Sequence, residues 1–144
     1  MTVPLAADAS RRMRAGAVAT GGALAAAAVG VAVFDPSSPN SRFPPCAFHL
    51  ATGLWCPGCG LTRGTHALLR GDLLGALSHN LFTPLVLVAI AAAWGTWMLR
   101  SFGRPVRNPV HRLPRWAGPV LLVAFVVFGI VRNLPVAPLQ SLAP

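Results

Sequence analysis

The stretch from Leu81 to Leu99, LFTPLVLVAIAAAWGTWML, runs nineteen residues without a charge before Arg100. An α-helix rises about 1.5 Å per residue, so roughly twenty apolar residues cross the ~30 Å hydrocarbon core of a bilayer. Pro84 falls in the first turn, where its missing N–H costs little, and Trp94 and Trp97 stand near the far end beside Arg100, as interfacial anchors do. Read as a span, this segment decides the fold class: an all-α membrane protein.

Two more segments fit that reading. Ala15 to Phe34 is twenty uncharged residues, nine of them alanine and four glycine. Gly22, Ala26 and Gly30 recur four apart, a small-residue stripe on which another helix can pack closely. Arg11, Arg12 and Arg14 precede it in the manner of a signal peptide, but no small-x-small cleavage site precedes Asp35, so a retained helix is expected. Trp116 to Val131 is a run of sixteen residues between Arg115 and Arg132. It covers about 24 Å as a helix, and Arg132 is expected to snorkel outward and close that span at residue 132.

Composition agrees. Of 144 residues 54% are apolar and only 10% are charged, against about 25% charged in an average globular chain. Disorder is excluded by the hydrophobicity. All 12 basic residues are arginine, all 3 acidic residues are aspartate, and the net charge is +9. The arginines sit in short clusters beside apolar runs and form no continuous stripe, which argues for membrane topology and against nucleic-acid binding. Eight arginines then fall on one side of three spans and four on the other. The expected layout is a cytoplasmic basic tail (1–14), span one (15–34), a Cys-rich extracytoplasmic loop or cap (35–80), span two (81–99), a cytoplasmic Arg/Pro-rich loop (100–115), span three (116–132) and a Pro-rich tail (133–144). The expected location is the plasma membrane, multi-pass, with the N-terminus cytoplasmic. The expected partners are the lipid bilayer and a second copy or another subunit of a membrane complex.

The chemistry concentrates in the 35–80 segment. All three cysteines and one of the four histidines lie within fourteen residues, spaced C-x2-H-x6-C-x2-C as Cys46, His49, Cys56 and Cys59. Two short units of this kind facing each other are how tetrahedral zinc sites are built, each turn presenting two ligands. Pro57 fixes φ in the second unit, and Gly58 and Gly60 permit positive φ. Beyond it, Leu61 to Arg70 reads as a helix with Arg63, His66 and Arg70 on one polar stripe; Gly71 stops it, and Asp72 caps a further short helix from Leu73 to Leu77. One or two short amphipathic helices are thus expected in the cap.

The run Cys46 to Gly53, with Cys56-Pro57-Gly58-Cys59-Gly60-Leu61-Thr62-Arg63 after it, resembles a family of small bacterial membrane proteins known as domain-of-unknown-function family 2752. Gly71-Asp72 and Asn80 continue the resemblance, which covers roughly residues 43–100. Members usually carry proline directly after that asparagine; here Leu81 follows and Pro84 comes later, which bears on where the second span begins. The resemblance implies an integral membrane protein with a Cys-rich external or interfacial loop, and implies no reaction.

Three readings of the cysteines stand side by side. The leading one is a structural metal site, zinc held by Cys46, His49, Cys56 and Cys59, with His66 as a substitute for His49. The alternative is a redox site, since the loop is expected to face an oxidising compartment: Cys56 and Cys59 would exchange and Cys46 resolve. The third is inert burial. Thr62, Arg63 and His66 either line a small anion or headgroup site or form a solvated stripe. His79 and His111 have no assigned role. With no paired carboxylates, no Ser/His/Asp set and no phosphate loop, the chain is expected to be non-enzymatic, a subunit or assembly factor of a membrane complex, with a membrane thiol–disulfide oxidoreductase as the alternative. Solute transport is disfavoured because spans two and three contain no internal charge.

Overall fold

The computed structural model of the protein describes residues 3–106 and 113–135; Arg107, Arg112, His111 and most of the 133–144 tail lie outside them. The elements are α1 (Val3–Val33), α2 (Ala47–Thr52), α3 (Leu61–Leu69), α4 (Leu73–His79), α5 (Thr83–Ser101) and α6 (Ala117–Val131), and no strand occurs among the described residues.

Helix α1 starts well before the expected residue 15. Alanine and arginine are strong helix formers, and no glycine or proline interrupts the chain between Pro4 and Gly16, so the helix continues through the basic segment. Its Asp8–Val33 part and α5 are each long and apolar enough to cross a membrane, whereas α6, with 15 residues, is apolar but shorter. Large apolar side chains such as Val29, Val88, Leu122 and Val126 are exposed on these helices and form a surface for contact with a lipid bilayer.

Helices α1 and α5 pack antiparallel. Trp94 Nε1 donates to the Ala17 carbonyl at 3.0 Å, and its indole fills the space over Gly21, where a Cβ would overlap the ring. Trp97 lies against Gly16. At the far end Arg14 Nε donates to the Ser101 carbonyl at 3.0 Å, with its guanidinium 5.4 Å from the Phe102 ring centre. Two expectations change here. The stripe that includes Gly22 and Gly30 meets open space, because successive helical residues are about 100° apart and the face holding Gly21 is the one that docks. Trp94 is a packing and hydrogen-bonding residue between helices, not only an anchor at an interface.

The segment between α1 and α5 contains three short helices where one or two were expected. The additional one is α2: Cys46 is its N-cap, and Gly53, at φ 71°, ends it, so Cys46-x2-His49 is the first turn of a helix and not a free-standing knuckle. Helices α3 and α4 follow the sequence reading. Gly71 takes φ 84° after α3, and Asp72 Oδ1 accepts from Gly75 N at 2.7 Å to cap α4. Gly64, buried in α3, lets that helix approach Thr83 and the Ala76 carbonyl so closely that no side chain would fit. Helix α6 docks at the same end. Phe82 meets Phe125 and Phe128 edge-on, each at 5.4 Å between ring centres, and Gly129 lies against Pro57.

Candidate metal centre

The three cysteines reach one point from three local structures. Cys46 caps α2 in extended conformation, at φ −64° and ψ 117°. Cys56 and Cys59 bracket the Pro57-Gly58 turn, closed by Cys59 N donating to Cys56 O at 3.0 Å; Gly60, at φ 86°, then turns the chain into α3. Cys56 Sγ lies 3.0 Å from Cys59 Sγ and 3.5 Å from Cys46 Sγ, and the three sulfurs all fall within 4.8 Å of one another. All three are free thiols and Cys59 is buried. Thiolates at about 2.3 Å from a tetrahedral zinc sit ~3.8 Å apart, so the cluster is close to the spacing of a metal-bound set and can hold an ion.

The thiols differ in acidity. Cys46 is pulled down to about 7, first by the backbone N–H of His49 in the opening turn of α2 and next by the Cys59 thiol. Burial, followed by the neighbouring Cys56 and Cys46 thiols, pushes Cys59 up to about 12. A buried thiol whose acidity is lowered and a half-buried one whose acidity is raised therefore share one cluster.

Beneath the cluster the backbone from residue 55 to 59 is not helical, so its carbonyls need donors from elsewhere. Asn80, buried, donates Nδ2 to Pro57 O at 2.8 Å and Cys59 O at 3.0 Å, while its Oδ1 accepts from Phe82 N. Arg132 Nη1 donates to Cys56 O at 3.2 Å and Cys59 O at 2.9 Å, its guanidinium 5.0 Å from the Phe128 ring centre. Asn133 Oδ1 accepts from Trp55 N at 2.8 Å, and its Nδ2 donates to Trp55 O and Gly129 O, each at 2.7 Å. The expectation that Arg132 snorkels outward is thus corrected: only 2% of it is exposed. A guanidinium, with several donors in a fixed fork, satisfies carbonyls that water cannot reach better than it serves as an anchor. Sequence reasoning missed Arg132 and Asn133 as site residues. The available signal was a polar pair closing an apolar run too short to span with ease.

The remaining sequence candidates divide. His49 Nδ1 lies 3.2 Å from the Leu54 carbonyl, and its ring stacks on Trp55 at 3.9 Å, outside the sulfur cluster. His66 Nδ1 lies 2.6 Å from the Val31 carbonyl in the last turn of α1, so it ties α3 to α1. Thr62 and Arg63 line a cavity of about 420 Å³ whose wall also includes all three cysteines, His49, Phe43 and Trp55. His79 lies outside the cluster.

Two helices long and apolar enough to cross a membrane, a shorter apolar helix and a cluster of three thiols define a small helical protein associated with membranes. Residues 46–94 match the family described as "Protein of unknown function (DUF2752)", in line with the resemblance read from the cysteine block. The matched segment holds the three cysteines, Arg63, Asn80 and Trp94, and stops before Arg132 and Asn133. Neither a curated protein nor a solved structure matches the chain.

Proposed function

We propose that this chain is a multi-pass membrane protein, N-terminus inside, whose extracytoplasmic cap is organised by one thiophilic metal ion, zinc in the first instance, bound by Cys46, Cys56 and Cys59. The observation that carries the reading is the meeting of three sulfurs, where an exchange pair requires two. Charge supports it. A zinc ion with three thiolates has net charge −1, and Arg132 under the turn supplies the compensating cation. His49, the fourth ligand suggested by spacing, has no ring nitrogen within the sulfur cluster, so the protein ligand set is taken as the three thiolates. A cap of this size buries little apolar surface by itself, and a metal staple offsets that. The role is structural, in a subunit or assembly factor whose exposed helix faces meet lipid and neighbouring helices.

A second reading has one observation in its favour. A half-buried thiol near 7 beside a buried one near 12 is the asymmetry of a thiol–disulfide exchanger, in which Cys46 would attack a partner's disulfide and a neighbouring cysteine would release it. Metal analysis of detergent-purified protein, together with intact mass before and after alkylation, separates the two. One equivalent of metal with three alkylatable thiols after its removal supports the metal site. Substoichiometric metal with a mass deficit of about two daltons, one disulfide, supports exchange. Reporter fusions near residue 60 that score cytoplasmic would overturn the topology.

A further inference from the structure

We infer that the fourth coordination position of the three-thiolate site opens into the adjoining cavity and takes a small carboxylate-bearing ligand whose charge is met by Arg63. The inference rests on the metal reading above and extends it from a structural staple to a ligand-binding site.

Three observations converge. All three cysteines line the cavity, so the side of a bound metal not covered by sulfur faces that space. At about 420 Å³ the cavity lies in the size range of small-molecule sites, roughly 300–1,000 Å³. His49, in the same wall, has no ring nitrogen within the sulfur cluster, which leaves the fourth position for a donor from outside the chain.

Charge identifies the ligand. Among the described residues no aspartate or glutamate lines the cavity. Arg63, partly buried in its wall, has no hydrogen-bond or ion-pair partner among the described residues. Of the three aspartates, Asp35 and Asp72 accept from backbone N–H groups of their own turns, and Asp8 lies in α1. A guanidinium held without a counter-ion beside an open metal position is suited to a carboxylate, which it can bind through two parallel hydrogen bonds. Phe43, Pro44, Pro45 and Trp55 give the wall an apolar part that suits a short hydrocarbon body, beside the hydroxyls of Ser38, Ser41 and Thr62. A molecule with a metal donor at one end and a carboxylate at the other meets all three features.

Cobalt(II) reports thiolate ligation by charge-transfer absorption and coordination geometry by its visible d–d bands, so the test uses detergent-purified full-length protein reloaded with one equivalent of it. Mercaptoacetate is the probe and 2-mercaptoethanol its uncharged counterpart. The expected result is a change in the d–d bands with charge transfer retained, half-saturating at least tenfold lower for mercaptoacetate. Arg63→Gln should remove that preference while still loading cobalt, Arg63→Lys should keep part of it, and His49→Ala should leave the cobalt spectrum as it was. Unchanged d–d bands on a loaded site, cobalt stripped by the probe, or d–d bands altered in His49→Ala with charge transfer retained would each overturn the inference while leaving metal binding by the unmodified protein in place. Absence of the charge-transfer band in unmodified protein would instead overturn the metal reading itself, and the inference with it.

Discussion

At the cap end, the carbonyls of Trp55, Cys56, Pro57 and Cys59 each receive a hydrogen bond from Asn80, Arg132 or Asn133. Along the stems, α1 and α5 meet through one indole hydrogen bond, two glycine–tryptophan contacts and the Arg14–Ser101 bond. The difference follows from the backbone. A helix satisfies its own N–H and C=O groups and can face lipid without help, whereas an irregular turn needs donors from elsewhere. Directed polar contacts therefore concentrate where the chain leaves the helix, and they leave the cysteines a rigid platform.

The sharpest way to break this contrast is to remove the sulfurs. Cys56→Ser or Cys59→Ser should weaken metal binding by more than about 100-fold, beyond the 10- to 100-fold typical of outer-shell changes, measured by competition with a chromophoric chelator. Acid should act in the same direction. Metal binds thiolates, so it must displace the Cys59 proton, held up to about 12, at every ordinary pH, and the Cys46 proton as well once the pH falls below about 7. Affinity should fall with falling pH, more steeply below about 7; a flat profile would remove thiolate ligation from the account.

Arg132→Gln comes next. It withdraws the guanidinium from the Cys56 and Cys59 carbonyls and should cost about 10- to 100-fold in metal affinity. Arg14→Gln, which cuts a similar arginine–carbonyl bond at the opposite end, should leave affinity unchanged. Equal losses in the two variants would mean that the ends are not separate.

A smaller effect is expected where helices touch inside the cap. Gly64→Ala drives a methyl into Thr83 Oγ1 and the Ala76 carbonyl and should cost about 1–3 kcal/mol in a detergent melt. Thr83→Ala removes one of the two obstacles, so the double variant should be less than additive. The smallest effect belongs to the stems. Gly21→Ala presses on the Trp94 ring, a side chain that can shift, and should lower the melting temperature slightly, while Gly22→Ala, facing open space, should stay within about 0.5 kcal/mol of the parent.

Much of this arrangement is legible along the chain because it is local. The apolar run at Leu81–Leu99 yields α5, Gly71-Asp72 yields the break and cap between α3 and α4, and the cysteine spacing yields the cluster. What is not legible depends on register or distance. Gly21 and Gly22 are neighbours in sequence but point to different faces, and only the position of Trp94 decides which one packs. Arg132 looks like an ordinary flanking arginine because the carbonyls it serves lie 73 and 76 residues earlier. His49 has the spacing of a ligand, yet winding α2 from Ala47 to Thr52 leaves its ring against Trp55.

The pairing of Asn133 with both backbone groups of Trp55 joins points 78 residues apart, and this gives the molecule an order of construction. During synthesis the cysteine loop emerges long before the helix that closes beneath it, so its sulfurs spend that interval without their platform. Helix α6 acts as the bolt beneath the cysteine turn: a nascent chain released before α6 should present Cys59, buried in the folded protein, to alkylating reagents more readily than one released after it.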